Sequence, residues 1–184
     1  MSKIIKNNKG LTLVELLAAI VLIIIVSAFV FRLLYSGIDT TNKIRTESFL
    51  RDEADIIISR FIKEIYSTKQ SHIIENTGSY LEIAKDISKC TKDDVGNWLR
   101  NSNCEIYKVG FLKEGDIMTL VFKNGIYKIQ NSSIQINDDS FIDGNPKETS
   151  LYKISLSLTY QYNPSIKASS KRMDFINQIQ AIQD

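Results

Sequence analysis

The chain begins with a short basic segment, which is followed by a continuous apolar run. The run covers residues 11–31 and contains a single acid, Glu15, close to its start. About 21 residues in an α-helix extend about 30 Å, which matches the thickness of the hydrocarbon core of a bilayer. We therefore predict a membrane-spanning helix. Glu15 is a candidate functional residue, because a carboxylate inside lipid is costly.

Beyond the apolar run, the pattern becomes that of an amphipathic helix without proline or glycine over residues 38–66. Apolar positions recur every three or four residues: Leu50, Ala54, Ile57, Ile58, Phe61, Ile62 and Ile65. Much of the other face is charged: Arg51, Asp52, Glu53, Asp55, Arg60, Lys63 and Glu64. The spacing predicts one helix over residues 13–69 that could bend near Gly37, and whose second half packs its apolar stripe on a small domain.

After residue 71 the pattern changes to short segments that are typical of strands. The predicted strands cover residues 79–83, 105–112, 117–122, 126–130 and 151–162, and residues 173–181 form either a last strand or a short helix. Residues 86–103 are mostly polar and predict a loop with helical turns at most. Asn124-Gly125 lies between two apolar segments and predicts a hairpin turn with positive φ at both residues.

The segment 151–162 has the most regular alternation of the predicted strands. One face is apolar throughout: Tyr152, Ile154, Leu156, Leu158, Tyr160 and Tyr162. Such a strand is half-buried, and we expect its apolar face to pack on the helix stripe. The predicted fold class is α+β, with a long N-terminal α-helix, half of it transmembrane, packed against an antiparallel β-sheet of four to six strands.

Charge sets the orientation of the membrane helix and argues against a nucleic-acid-binding domain. Lys3, Lys6 and Lys9 precede the apolar run without an acid, so the N-terminus is expected in the cytoplasm and the rest of the chain outside. The formal net charge is +2, from 23 basic and 21 acidic residues. Without the three leader lysines it would be close to −1, which does not indicate a nucleic-acid binder.

Two cysteines, Cys90 and Cys104, lie in the part that is expected outside the cytoplasm. They could form a disulfide, worth about 3 kcal/mol in the chain-entropy model for a loop of this length, or remain two free thiols. Their spacing does not fit a compact metal site, and neither a second cysteine pair nor a histidine cluster accompanies them.

The sequence predicts no catalytic residue, cofactor or metal. The single histidine, His72, falls near the predicted end of the long helix and is better explained as a solvated residue than as a catalytic base. Nucleotide-binding glycine motifs do not occur. The acid pairs Asp93-Asp94 and Asp138-Asp139 could bind calcium, but solvated loop acids are the simpler interpretation.

A small basic patch near the C-terminus leaves one nucleic-acid alternative open. Lys167, Lys171 and Arg172 could contact DNA if the exposed domain acted as a DNA-capturing tip, although a solvated surface explains them equally. This binding hypothesis competes with a purely structural role for the domain.

The residues 9–15, KGLTLVE, stand behind a basic leader and ahead of a long apolar run. This arrangement resembles the N-terminal cleavage and methylation signature of type IV pilins and type II secretion pseudopilins. The resemblance implies cleavage by a prepilin peptidase between Gly10 and Leu11, and methylation of the new amine of Leu11. It also implies that Glu15 pairs with such an amine during assembly, on a neighbouring subunit or in its own chain.

The alternative to this resemblance is a plain signal anchor that keeps its leader, but such an anchor has no use for an acid like Glu15. The resemblance implies three regions: a cleaved leader at 1–10, a transmembrane and assembly segment at 11–36, and an extracytoplasmic pilin-like domain at 37–184. The implied partners are other major and minor pilins, the prepilin peptidase and the cytoplasmic membrane. The protein would be a single-pass membrane protein first, and part of an extracellular pilus or an envelope pseudopilus afterwards.

Two further features bear on the member of the family. The apolar helix lacks the proline that many major pilins have, and Leu11 stands where phenylalanine is commoner. Residues 51–65 are similar to the post-membrane segment of the PilW and pseudopilin J class of minor subunits. The family tolerates Leu11, and the missing proline favours a minor pilin or a pseudopilin over a major shaft subunit. The similarity of residues 51–65 implies a minor pilin that acts in filament initiation or at the tip. The alternative is a pseudopilin of a type II secretion or competence system.

Overall fold

The computed structural model of the chain describes residues 12–93, 98–99, 103–115, 117–162 and 170–183. The chain divides into two compact units, Met1–Arg45 and Thr46–Asp184. One helix, α1, covers Leu13–Tyr66 and supplies residues to both units. The helix continues through Gly37 without interruption. It ends at Tyr66, three residues before the predicted boundary. A 3₁₀ turn at Gln70–His72 follows it.

The second unit contains all the strands of the described residues. In chain order they are β1 (Ile73–Asn76), β2 (Tyr80–Ala84), β3 (Thr91–Lys92), β4 (Trp98–Leu99), β5 (Ile106–Glu114), β6 (Ile117–Phe122), β7 (Gly125–Tyr127), β8 (Ile134–Ile136), β9 (Phe141–Asp143), β10 (Leu151–Gln161) and β11 (Ser170–Gln180). The first sheet has the order β1-β2-β5-β6-β7, and the second has the order β11-β10-β8, with β9 also paired to β10. Every pairing between these strands is antiparallel.

One face of α1 forms the centre of the core of the second unit. Five apolar side chains of this face are completely buried: Leu50, Ala54, Ile57, Phe61 and Ile65. They share one cluster with apolar residues of both sheets. The ring of Phe61 lies 5.5 Å from that of Phe111 on β5 and 5.1 Å from that of Phe122 on β6, measured between centroids. The predicted α+β class is therefore confirmed, and so is the apolar stripe as the packing face.

The stripe is narrower than the spacing predicts. Ile58 is only partly buried at the edge of the core, and Ile62 remains 42% exposed. The predicted polar face is also wrong at one position, because Glu53 is buried at 8% exposure. The hydroxyl of Tyr127 donates a 2.8 Å hydrogen bond to Glu53, which supplies the partner that a buried carboxylate needs.

The predicted single sheet is divided into two. Of the strands before residue 128, β1, β2, β5, β6 and β7 form the first sheet, and the strands after residue 133 form the second; β3 and β4 pair only with each other. Each of the two large sheets supplies its own apolar face to α1. On β10 the apolar residues Tyr152, Ile154, Leu156 and Leu158 are buried, as the alternation predicts. The alternation fails at Ser157, which is buried at 2% exposure although it lies on the predicted polar face, and at Tyr162, which is 46% exposed. Of the segment with two predicted outcomes, residues 173–180 belong to β11 and are therefore a strand.

The predicted hairpin is confirmed, but its turn geometry and one predicted loop are wrong. The hairpin at β6 and β7 pairs Phe122 with Gly125, so Lys123 and Asn124 occupy the centre of the turn. Of the two residues Asn124 and Gly125, only Gly125 has positive φ, at 113°. No non-glycine residue in the described part has positive φ. The segment 86–103 is also more structured than a plain loop, because β3 and β4 pair within it.

The core geometry predicts unequal effects for two adjacent residues of α1. Phe61→Ala should lower the free energy of unfolding by about 3–5 kcal/mol, because a buried aromatic side chain is replaced by a cavity. Ile62→Ala should cost less than about 1 kcal/mol, because its side chain already contacts solvent. Denaturant unfolding of the full chain in detergent, followed by circular dichroism, measures both values, and equal losses would contradict this packing.

Candidate functional site

The candidate site lies at the first turn of α1, where Thr12 and Glu15 contact each other. One carboxylate oxygen of Glu15, Oε2, accepts hydrogen bonds from the backbone N–H and the hydroxyl of Thr12, both at 3.0 Å. In return, the N–H of Glu15 donates to the Thr12 hydroxyl oxygen at 3.3 Å. The carbonyl of Thr12 accepts the first helical bond, from the N–H of Leu16 at 3.1 Å.

These contacts form a capping box, in which the residue before the helix and the acid three positions later satisfy each other's donors. The acid is also favourably placed near the positive end of the helix dipole. The capping role of Thr12 was missing from our sequence interpretation, although the spacing of a threonine and a glutamate in TLVE is its usual signal. The carboxylate that resembles the pairing acid of pilins therefore has donors within its own chain.

The helix surface behind this site is apolar and uncovered. Every large apolar side chain from residue 13 to residue 35 is at least 46% exposed. The helix is long and apolar enough to cross a membrane. A helix that is apolar all round is stable only when lipid or other helices surround it. Gly10 and Leu11, the predicted processing residues, lie outside the described residues.

The comparison with protein families agrees with this N-terminal geometry. Residues 5–31 match the family model described as a prokaryotic N-terminal methylation motif. The match supports a type IV pilin-like protein or a pseudopilin. It also supports membrane anchoring before assembly, and proteins of this type are structural rather than catalytic. No curated protein and no solved structure shows significant similarity to the chain.

The two cysteines are joined in the structure. Cys90 and Cys104 form a disulfide with their Cα atoms 4.7 Å apart. Beside Ala84 they form a small apolar cluster that is separate from the main core, with Trp98 packed against it. The ammonium group of Lys92 lies 4.4 Å from the centroid of the Trp98 ring. The disulfide thus closes the segment that contains β3 and β4.

The predicted basic patch is largely neutralised by acids of the chain. Lys171 forms an ion pair with Glu47 at 2.9 Å, and its hydrogen bond lowers the pKa of Glu47 below its usual value. Arg172 contacts both Asp139 and Asp174. Lys167 lies outside the described residues. The two described cations therefore offer little uncompensated charge to a phosphate backbone.

The other polar residues considered in the sequence also contact protein groups. Asp138 forms an ion pair with Lys113. His72 lies in the 3₁₀ turn after α1, with its Nδ1 atom 3.2 Å from the carbonyl oxygen of Ala84. Asp94 falls outside the described residues, and within the described part no three His, Cys, Asp or Glu side chains form a group that could hold a metal ion.

A polar cluster around Asp174 on β11 predicts a pH dependence of stability. The hydroxyl of Ser157 donates to Asp174 at 2.6 Å and the Nε of Arg172 donates at 3.0 Å. These bonds lower the pKa of Asp174 below its ordinary 3.8. A lowered folded pKa means that the stabilisation is present above the unfolded pKa and is lost as pH falls through the folded value.

We expect Asp174→Asn to lower the free energy of unfolding at neutral pH by less than about 1 kcal/mol, since the site is exposed. The difference from the wild type should shrink as pH falls below about 4 and vanish only below the lowered folded pKa of Asp174, which paired denaturant titrations at several pH values measure. Asp55→Asn, at an exposed position of α1, is the control. A difference that stays constant with pH would contradict the role of the Asp174 carboxylate.

Proposed function

We propose that this chain is a minor pilin of a type IV pilus, a structural subunit that acts in filament initiation or at the tip. The observation that carries the proposal is an uncovered apolar helix whose first turn holds a carboxylate, within a methylation motif. An uncovered helix of this kind needs a bundle of similar helices once it leaves the membrane. Such a bundle is the core of a pilin filament.

Glu15 gives the assembly its electrostatic requirement. In a bundle of apolar helices the carboxylate lies in a medium of low dielectric constant, where an unpaired charge is very costly. The amine of Leu11 becomes cationic only when the peptide bond after Gly10 is cut. The pairing of Glu15 with this amine on a neighbouring subunit therefore makes assembly depend on processing.

The orientation follows from the same segment. The lysines of the leader keep the N-terminus in the cytoplasm by the positive-inside rule, so the unit Thr46–Asp184 lies outside. The cleavage site is thus on the cytoplasmic side, where the peptidase would act on it. An extracytoplasmic location is also compatible with the disulfide between Cys90 and Cys104, since such bonds persist in oxidising compartments.

A minor subunit is favoured over a major one by two features of the helix. It contains no proline in its apolar part. Residues 51–65 are similar to the PilW and pseudopilin J class, whose members sit at filament tips with other minor subunits. The exposed half of the domain would then contact other tip subunits rather than repeat along a shaft.

The first prediction concerns processing. Mass spectrometry of the protein from native membranes should find a mature chain that begins at N-methylated Leu11. In cells without the prepilin peptidase, the same chain should keep its leader. A mature form that begins at Met1 or Ser2 in both strains would remove the proposal and leave an anchored extracytoplasmic domain.

The second prediction concerns Glu15. Glu15→Ala and Glu15→Gln should abolish incorporation into filaments, because losing one partner of a buried pair costs about 3–5 kcal/mol. Glu15→Asp should retain part of it, and Asp39→Asn, an exposed acid on the same helix, should behave as the wild type. Immunoblots of sheared filaments measure incorporation, with membrane fractions as the control for expression.

Deletion of the gene distinguishes a pilus from a secretion or competence system. Loss of surface filaments on deletion of the gene supports a pilus. Retained filaments with a defect in protein secretion or DNA uptake would replace the minor pilin by a pseudopilin of a secretion or competence system, with the chemistry of Glu15 unchanged. Normal incorporation of Glu15→Ala would contradict both.

A further inference from the structure

The longest strand edge of the described residues that pairs with no other strand belongs to β11. On one side β11 pairs with β10 over eleven consecutive residues without a register shift. No strand of the described part pairs with its other side. The outer strands at the other sheet edges are short: β1 has four residues, and β7, β8 and β9 have three each.

The hydrogen bonds around the end of β11 show which backbone groups face the open side. The N–H of Ala181 donates to the carbonyl of Ser150, toward the β10 side. The next residue, Ile182, bonds in the opposite direction, with Thr68 and Gln70. Because this direction alternates along an antiparallel strand, the open side carries the N–H and C=O groups of every second residue of β11: Ser170, Arg172, Asp174, Ile176, Gln178 and Gln180.

The C-terminal half of the open edge lacks the features that usually protect one, whereas Arg172 and Asp174 place charges in the other half. Proteins prevent edge-to-edge pairing with short edge strands, bulges, prolines, charges or covering segments. β11 contains neither proline nor glycine, and its residues 175–180, Phe-Ile-Asn-Gln-Ile-Gln, carry no charge. Among the described residues, the segment around Lys69 covers the end of the edge beyond Gln180. In the middle of the open edge, the side chain of Ile176 is 63% exposed.

We propose that this edge binds a second copy of the chain, with β11 paired antiparallel to the partner copy's β11 about a twofold axis at Ile176. The pairing about Ile176 runs from Arg172 to Gln180, and Ser170 lies beyond it, because it would face Ile182, whose backbone already bonds with Thr68 and Gln70. In this register Ile176 faces its own counterpart, Asp174 faces Gln178, and Arg172 faces Gln180. Every outward N–H and C=O group of the five residues then has a partner.

The side chains along the strand favour this register over its neighbours. A twofold axis at Phe175 would place the Asp174 carboxylate directly opposite the apolar side chain of Ile176 and would leave the exposed isoleucines without an apolar partner. A twofold axis at Asp174 would bring two like carboxylates opposite each other, which is unfavourable in a sheet. An axis at Gln178 would require pairing beyond Gln180, where the segment around Lys69 already occupies the edge. With the axis at Ile176, no like charges face each other and the two exposed isoleucine side chains cover one another.

A symmetric disulfide tests the register directly. Ile176→Cys places two thiols on directly opposed residues, whose Cα atoms are about 5.5 Å apart, within the range of a disulfide. Gln178→Cys is the matched control on the same edge, because its two copies lie about 14 Å apart along the strand. Under mild oxidation of the purified full chain in detergent, Ile176→Cys should cross-link at least about tenfold more than Gln178→Cys.

The oligomeric state provides the second test. Sedimentation equilibrium of the full chain in density-matched detergent should show a dimer. Ile176→Lys should raise its dissociation constant about tenfold or more, because two like charges then face each other. Ile176→Thr keeps a β-branched, uncharged residue and should retain most of the pairing. Circular dichroism confirms that each variant is folded.

The outcomes separate this inference from the proposed function. Glu15→Ala should leave cross-linking at residue 176 unchanged, since the edge is independent of helix assembly. A monomeric wild type, a dimer insensitive to Ile176→Lys, or equal cross-linking of the two cysteine variants would overturn the inference. So would cross-linking of Ile176→Cys that occurs only to a different filament subunit, because the edge would then take another strand.

Discussion

The structure of the second unit depends on the burial of one narrow stripe of α1 between two sheets. Phe61 is the centre of this contact, since its ring packs against Phe111 and Phe122 of the first sheet. The apolar face of β10 closes the core from the second sheet. Both sheets contribute apolar side chains to the one cluster around the helix stripe, so the packing of both depends on the helix. Loss of the stripe would leave two exposed apolar sheet faces.

The helix uses its apolar side chains in two different ways. In the unit Thr46–Asp184 they are buried on one side, and the polar contact between Glu53 and Tyr127 lies at the margin of that buried face. In the unit Met1–Arg45 they are exposed on all sides. In the unit Thr46–Asp184 the apolar side chains of the helix are buried by the same chain, whereas in the unit Met1–Arg45 they require lipid or other helices to bury them. This division lets a folded domain coexist with a segment that is free to change its surroundings.

The periodicity of the sequence was sufficient to predict α1, the apolar stripe and the strands β5, β6 and β10. It was not sufficient to predict burial at positions where contacts between residues distant in sequence determine it. Ile62 follows the helical spacing but lies outside the contact, and Glu53 carries a charge yet is buried because Tyr127, distant in sequence, supplies a donor. The division into two sheets depends on long-range pairing that local alternation does not encode. At the candidate site, Glu15 was predicted from the motif. Its contact with Thr12 was missed, although the spacing of a threonine and a glutamate three residues apart is the usual sequence signal of a capping box.

The contact between Thr12 and Glu15 has a thermodynamic consequence for a filament built as proposed. In the single chain the carboxylate already accepts two hydrogen bonds from Thr12, so pairing with an amine in a filament would exchange one set of hydrogen bonds for another. The free energy gained from this residue is then a difference between two satisfied states, and it is smaller than the full strength of an ion pair. Small differences of this kind favour polymers that can shed and regain subunits. The capping box would in this way make filament growth reversible without weakening the lateral packing of the helices.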